Sequence, residues 1–423
     1  MSPARQLRRD SVYMIAGQAS LAALLALQFL LVARVLGPLE FGIVASATAI
    51  TAALMPYSGM GLGKVAMIRM ARAHTSGAIC VGNALVVTMV TGAACIGIAV
   101  LAGHVLLPRP GAWLLVLLFA VSEILVARHV DTAAHVFLGL DRHLMTVLVY
   151  HMPLVARALC AIALYVLPIP PTSLHWGALQ LLGMLVALGV VAVVTLRAVG
   201  MPRTDLRMAT SDARVGVFYS VAASAHGVYT DADKALLARY AAPEIGGAYT
   251  VAFRLMFIAY TPVMAVLMAL QTRVFRAGGE GGLVGTAHMM TRLAVSGGMY
   301  CLLVSGAIYI LAPLVPLLLG QAYALSSEVL RSLCLLPLPM MVQAVYSQAL
   351  AGADEQKAVA LMYTGAALLS VLLNLVLIPG NGWQGSVMSA YLSQGLLALA
   401  IVAYIGRRRL RHTAAIVPAG SAQ

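Results

Sequence analysis

Long apolar runs constrain this chain more than any other feature. Four of them, 12–32, 42–62, 84–102 and 358–378, carry almost no charge, and about 20 apolar residues are enough for a helix to cross a bilayer. Charged residues make up 10% of the chain, against roughly 25% in a soluble domain. In lipid only helices and closed barrels satisfy the backbone, and unbroken runs indicate helices. We expect an all-α polytopic membrane protein.

Turn-like segments rich in Gly and Pro divide the chain into about twelve apolar runs. The predicted helices lie at 11–36, 39–62, 79–103, 112–138, 143–167, 174–196, 215–238, 245–272, 284–310, 322–350, 356–378 and 383–405. The first run is too long for a signal peptide and no cleavage site follows it. We therefore expect it to remain as the first helix.

The basic residues indicate topology. The net charge is +13, which by itself would be compatible with nucleic-acid binding. Most of the Lys and Arg, however, fall on one side of the predicted membrane, as the positive-inside rule describes. This distribution argues against nucleic acid and places both termini in the cytoplasm, with a basic tail at 406–423. The five cysteines have neither disulfide nor metal spacing, and no cofactor motif occurs.

Two stretches half a chain apart share a pattern. "LVARVLGPLEFGIVASA" at 31–47 and "LLARYAAPEIGGAYTVA" at 236–252 align without gaps. They share Leu31/Leu236, Ala33/Ala238, Arg34/Arg239, Pro38/Pro243, Gly42/Gly247 and Ala47/Ala252. A second pair, "FLGLDR" at 137–142 and "LAGADE" at 350–355, shares Gly139/Gly352 and Asp141/Asp354. Both pairs relate helix n to helix n+6, which predicts parallel repeats.

The repeats predict two pseudo-symmetric six-helix bundles facing a central cavity. The expected divisions are an N-terminal bundle at 1–196, a cytoplasmic linker at 197–214 and a C-terminal bundle at 215–405. Bundles of this kind can rock against each other to give alternating access. The linker is too short to fold as a domain of its own.

The predicted fourth helix has one polar face, with Arg128, Asp131 and His135 close together at helical spacing and Glu123 beside them. Ionisable groups at this depth are expensive, so they face a wet cavity or a partner. Two interpretations are open. Arg128 binds an anionic headgroup while Asp131 or Glu123 exchanges protons, or Arg128 and Asp131 form an internal ion pair.

The predicted seventh helix carries Asp233 and Lys234 on a broad polar face, and Asp231 lies within reach of Lys234. This face either lines a cavity or forms a charge-balanced cluster at its outer mouth.

Arg157 and Arg254 have no acid within one turn on their own helices. Each needs an anion, an acid on another helix or a path to water. A phosphate or diphosphate suits the planar, paired donors of arginine, and Arg254 is the leading candidate. The alternative for Arg254 is a pair with an acid such as Asp233. Arg34 and Arg239, at helix ends, are expected to be interface anchors.

Three segments together resemble the Wzx-type polysaccharide flippases of the multidrug/oligosaccharidyl-lipid/polysaccharide (MOP) exporter superfamily. They are the N-terminal "DSVYMIAGQ…LVARVLGPLEFG", the central "DKALLARYAAPEIGGAYTVAFRL", and the C-terminal "LAPLVPLLLGQAYALSSEVLRSLCLLPLP…LAGADEQKAVALMYTGAALLSVLLNLVLIPGNGWQGSV". In the family pattern the seventh-helix acid–base pair falls on Asp233 and Lys234, and the outer-turn arginine on Arg239. The first-half counterpart of Asp233 is Gln28.

The resemblance implies a MATE-like twelve-helix fold in the bacterial inner membrane. It implies a substrate of oligosaccharide on undecaprenyl diphosphate, destined for O-antigen, capsule or exopolysaccharide. A polysaccharide polymerase and a chain-length regulator would be partners, besides membrane lipids. Lipid II flippases usually have two further C-terminal helices, which argues against that branch.

Two other functions stay open. A multidrug exporter of the same fold would favour an acidic, aromatic-lined cavity, whereas bases outnumber acids in these helices. A membrane polymerase or ligase of lipid-linked glycans would be expected to have a sizeable outer catalytic loop, and the predicted outer connections are short. The sequence therefore favours a flippase that is not an enzyme.

Overall fold

The computed structural model describes residues 3–71, 76–107, 111–168 and 170–416, and the regular secondary structure in these ranges is helical throughout. The α-helices are α1 Pro3–Leu54, α2 Leu62–Ala71, α3 Gly77–Leu106, α4 Ala112–Ala120, α5 Ala127–Gly139, α6 His143–Val166, α7 Ser173–Val199, α8 Leu206–Tyr240, α9 Pro243–Leu311, α10 Val315–Leu319, α11 Ala324–Ser332, α12 Pro337–Gly352 and α13 Gln356–Ile416. A π-helical turn, Val121–Val126, joins α4 to α5, and a 3₁₀ turn, Met55–Gly61, joins α1 to α2.

Three of these helices are each two segments joined at a glycine. Helix α9 has 69 residues, which would be about 100 Å if straight, far beyond a bilayer. The breaks lie at Gly37 (φ 71°), Gly282 (φ 55°) and Gly382 (φ 54°). A positive φ is readily adopted only by glycine, so these positions turn the chain between consecutive segments.

With these breaks, and with helices joined by the short turns at 55–61, 121–126, 312–314 and 333–336 counted once, the described chain has twelve helical segments. Each overlaps one of the predicted twelve. They are 3–36, 38–71, 77–106, 112–139, 143–166, 173–199, 206–240, 243–281, 283–319, 321–352, 356–381 and 383–416. Among the described residues, eight helices are long and apolar enough to span a membrane, or nine if the bent pair Gln321–Ser332 and Pro337–Gly352 is one span. Two of the eight, Ala23–Met70 and Gln356–Arg408, contain a glycine break. The chain is a multi-pass membrane protein.

The chain forms two compact units, Met1–Gly247 and Ala248–Gln423. In the first unit α8 packs against α1 and α3, and in the second α12 packs against α13. The boundary falls after the first turn of α9, later in the chain than the expected linker at 197–214. The division into six-helix bundles on either side of that linker stays a prediction.

The two copies of the repeated turn contact each other inside the first unit. A Cβ added to Gly42 would lie 1.9 Å from the carbonyl oxygen of Pro243, and one added to Gly247 would lie 2.1 Å from that of Pro38. Each copy therefore presents its glycine to the proline of the other. Equivalent residues of the two copies thus make reciprocal contacts, as residues do at an interface between units related by a two-fold axis. The similarity at 31–47 and 236–252 is thus a structural repeat.

The second repeated motif is also structural. Asp141 (φ 55°) and Asp354 (φ 62°) both adopt the left-handed conformation, which asparagine and aspartate tolerate better than most residues. Each closes a helix with the same hydrogen bonds. The matching bonds are Asp141 N to Leu138 O (3.1 Å) and Asp354 N to Ala351 O (3.3 Å), then Arg142 N to Phe137 O (2.9 Å) and Glu355 N to Leu350 O (3.0 Å).

We predict that Gly42→Ala destabilises the protein. The added methyl has no room beside the backbone of Pro243, so the two helices must separate. Overpacking of this kind typically costs about 1–3 kcal/mol, occasionally more. Thermal unfolding of the purified protein measures this loss of stability. Gly246→Ala is the matched control, because nothing lies within 4 Å of its added Cβ. Equal melting temperatures for both variants would contradict the close crossing.

Candidate functional site

The seven ionisable candidates divide into three polar clusters and one isolated arginine. Six of them, Glu123, Arg128, Asp131, Arg157, Asp233 and Lys234, lie in the first unit. Arg254 lies in the second unit, on α9.

Glu123 and Arg157 form a cross-helix ion pair. Arg157 Nη2 donates to Glu123 Oε1 at 2.6 Å, and Gln180 Nε2 donates to the same oxygen at 2.9 Å. Both charged side chains are mostly buried, at 16% exposure. Arg157 Nε is buried without a partner among the described residues. The acid that Arg157 requires thus comes from another helix, so Arg157 is not an isolated cation.

A π-helical turn places Glu123 in this cluster. In the turn Val121–Val126 the chain carries one residue more per turn than an α-helix, and such turns are frequent at functional sites. The Ile124 carbonyl in the turn accepts a hydrogen bond from Ser58 Oγ at 2.6 Å. Because Ser58 is fully buried, the pair satisfies polar groups that lipid would leave unpaired.

Arg128 is held between an acid and a broken helix. Its Nη1 lies 3.1 Å from Asp131 Oδ2, and its Nε donates to the Ser58 carbonyl at 3.2 Å. The carbonyl is available because the chain leaves helical geometry at Ser58 (ψ 125°), Gly59 and Met60. Asp131 also accepts from Tyr150 Oη at 3.2 Å, and His135 Nδ1 lies 3.5 Å from its carboxylate. The structure therefore shows the internal ion pair that was one of the two interpretations.

Lys234 is enclosed by acceptors on α8. Its Nζ lies 3.0 Å from Asp231 Oδ1 and 3.2 Å from Asp233 Oδ1, and it donates to the Thr230 carbonyl at 2.7 Å. The lysine side chain is 3% exposed, while the side chains of Asp233 and Asp231 are 9% and 22% exposed. A lysine side chain that is this buried is stable as a cation only with such partners.

Arg254 differs from the other candidates. It is exposed, and it makes no hydrogen bond or ion pair with any described residue of its unit. It lies near the middle of the apolar span Pro243–Leu267, roughly 16 Å from the start of that helix at 1.5 Å per residue. Ionisable side chains at such a depth usually face a water-filled space or a partner rather than lipid.

Two polar contacts escaped the sequence analysis. Glu40 Oε2 accepts a hydrogen bond from the backbone N of Ser173 at 2.6 Å, which caps the start of α7. Arg69 Nε donates to Asp212 Oδ1 at 2.9 Å and ties α2 to α8. Glu40 stands where the other repeat copy has Ile245, a difference that could have drawn attention to it. The spacing of Arg69 and Asp212 carries no such signal.

Within the described ranges, no group of three or more His, Cys, Asp or Glu side chains is arranged to hold a metal ion. Gln28 Oε1 is buried without a hydrogen-bond partner there. Gln28 is the position that the sequence aligns with Asp233.

We predict that Glu123→Gln destabilises the protein by about 3–5 kcal/mol, because it leaves Arg157 charged and unpaired in a buried site. The double variant Glu123→Gln/Arg157→Gln should recover most of that loss. Thermal unfolding in detergent measures both. Glu244→Gln, at an exposed acid on α9, is the control and should change little. If the double variant were as unstable as the single one, the unpaired charge of Arg157 would not be the cause of the destabilisation.

Comparisons with known proteins identify the family and the fold. The family model described as "Polysaccharide biosynthesis protein" matches residues 7–272, which is more than half of the chain. The MatE family model matches residues 228–376. A search of curated proteins found no match.

Several solved structures share the fold. A multidrug resistance MATE family transporter of the MOP superfamily, in an inward-facing conformation, has a TM-score of 0.69 at 15% identity over 96% of each chain. The lipid II flippase MurJ, inward closed, has a TM-score of 0.74 at 12% identity over 93% of this chain and 87% of its own. A MOP superfamily transporter from Pyrococcus furiosus, whose description says that the reverse polarity of its binding pocket suggests a different function, has a TM-score of 0.57 at 16% identity over 95% and 94%.

At these identities the structures show the fold, and the predicted all-α MATE-like fold is confirmed. The resemblance to the superfamily is confirmed as well, since both family models match the chain. The chain belongs to the polysaccharide biosynthesis protein family, and its fold is that of the MOP superfamily transporters.

Proposed function

We propose that this protein is a flippase for an oligosaccharide linked to undecaprenyl diphosphate. It moves the sugar headgroup by alternating access from the cytoplasmic to the periplasmic leaflet of a bacterial inner membrane, with both termini in the cytoplasm. The product serves assembly of a surface polysaccharide such as O-antigen, capsule or exopolysaccharide. A polymerase and a chain-length regulator are the proposed partners.

A single observation carries this proposal, namely the exposed Arg254 in the middle of an apolar span. Holding a charge at membrane depth is expensive unless water or a counter-ion is present. The other basic candidates, Arg128, Arg157 and Lys234, already contact carboxylates. Arg254 is therefore the candidate best placed to receive an anion brought by a substrate.

The chemistry of a diphosphate matches this arginine. The guanidinium offers planar, paired donors that suit phosphate oxygens, and the bond is stronger because both groups are charged. A substrate of this kind has a polar head that needs such a site and a polyprenyl tail that stays in lipid. Membership of a polysaccharide biosynthesis family and the structural likeness to a lipid II flippase support the same substrate class.

The acids differ in how well they suit coupling to protons or cations. Protonation of Glu123 or Asp131 would leave Arg157 or Arg128 without its carboxylate. Lys234 contacts two carboxylates, Asp231 and Asp233, so it keeps one when the other is protonated. Of the three acids in question, Asp233 is therefore the proposed coupling group.

Multidrug export is the second candidate function, because the MatE family model matches residues 228–376 and MATE transporters share the fold. An unpaired arginine in the span repels the cationic drugs that an acidic cavity would attract. Drug susceptibility of a deletion strain separates the two functions. Unchanged susceptibility with lost surface polysaccharide supports the flippase.

We predict that Arg254→Ala abolishes polysaccharide export in a deletion strain while the protein still inserts in the membrane. Arg254→Lys should retain part of the export, because it keeps the charge and loses the paired donors. Surface polysaccharide and membrane protein level are measured together. The control is Arg142→Ala, at an exposed arginine between the apolar spans Ala112–Gly139 and His143–Val166. Normal export by Arg254→Ala would overturn the assignment.

The same assay tests the coupling group. Asp233→Asn should insert at the normal level and reduce export, whereas Asp131→Asn should lower the membrane protein level because it leaves Arg128 without its carboxylate. Normal export by Asp233→Asn would remove Asp233 from the mechanism.

A further inference from the structure

The connection from α7 to α8 has a fixed path along the first unit. We define residues 197–214 as the basic strap. Helix α7 ends at Val199, and Gly200 (φ 83°) turns the chain out of the helix. Two hydrogen bonds from backbone N atoms then hold the strap on α3, from Arg203 N to Ala78 O at 3.1 Å and from Asp205 N to the side-chain Oδ1 of Asn83 at 2.8 Å.

The approach to α3 depends on a glycine. A Cβ added to Gly82 would lie 2.1 Å from the carbonyl oxygen of Arg203. The backbone of the strap therefore lies directly on the helix surface. Because the hydrogen bonds use main-chain atoms of Arg203 and Asp205, the side chain of Arg203 is left to face outward, and it is exposed.

The strap presents a positive surface. Four arginines are exposed, and none forms an ion pair with a described residue. They are Arg197, Arg203, Arg207 and Arg214. Its two acids are occupied within the fold. Asp205 Oδ1 accepts from the backbone N of Arg207 and of Met208 at 3.1 Å each and caps α8, and Asp212 is buried against Arg69.

Apolar side chains are interleaved with these arginines. Met201 is 76% exposed, Leu206 is 65% exposed and Val215, next to the strap, is 55% exposed. Basic and apolar side chains alternating on one exposed segment are typical of a surface that lies in the headgroup layer, with the apolar groups in the acyl boundary. The position agrees, since the strap starts within the last turn of the apolar span Ser173–Val199.

We propose that the basic strap binds the headgroups of anionic phospholipids in the leaflet where α7 ends. The arginines pair with lipid phosphates, while Met201 and Leu206 insert beside them. Each basic residue near an anionic surface contributes about fivefold to affinity. Bound lipid thereby fixes the depth of the α7–α8 connection, a role separate from the transport substrate.

The test measures binding of phosphatidylglycerol to the full-length purified protein in neutral detergent, by native mass spectrometry. Arg203→Gln/Arg207→Gln should weaken binding by about 25-fold, since two arginines are lost. Arg203→Lys/Arg207→Lys should keep most of the affinity. Because the backbone bonds stay in place, the melting temperature without lipid should not change.

Arg292→Gln/Arg331→Gln is the matched control, with the same loss of charge at exposed arginines elsewhere. It should leave binding unchanged. Three results overturn the proposal: equal binding by both Gln doubles and the wild type, an equal loss in both, or displacement of the lipid by soluble inorganic diphosphate. The last would assign the strap to a diphosphate headgroup. No transport is measured, so failure here leaves the flippase proposal untouched.

Discussion

The pairing of buried charges governs this structure. Burying an ion without a partner costs several kcal/mol, and the first unit avoids that cost at each of its candidate cations. Glu123 neutralises Arg157, Asp131 neutralises Arg128, and two aspartates surround Lys234. Seen against these pairs, the exposed Arg254 is the exception that needs a functional explanation.

Irregular backbone makes the pairing possible. The π-helical turn Val121–Val126 contacts the break at Ser58, and hydrogen bonds in this region satisfy backbone groups of both segments. Ser58 Oγ donates to the Ile124 carbonyl in the turn, while the Ser58 carbonyl accepts from Arg128 just beyond it. Departures from helical geometry in a membrane are tolerated where protein groups satisfy them. The two irregular segments thus form one hydrogen-bonded polar region inside the first unit.

Sequence patterns predicted the helices well because apolar length is a local property. The twelve runs all correspond to helical segments, and both repeated motifs proved to be structural, through the Gly42–Pro243 crossing and the matching Asp141 and Asp354 turns. Partners across helices were not predictable. Arg157 and Glu123 lie 34 residues apart, and no spacing rule joins them. No known sequence pattern predicts the π-helical turn that contains Glu123.

The most direct measurement follows a lipid-linked oligosaccharide across a bilayer. Purified protein is reconstituted in vesicles with undecaprenyl-diphosphate oligosaccharide in both leaflets, and an impermeant glycosidase reports the fraction that reaches the outside. The wild type should make the inner-leaflet pool accessible, and Arg254→Ala should leave it protected. Protection of the inner pool in wild-type vesicles, with the protein folded, would contradict the account.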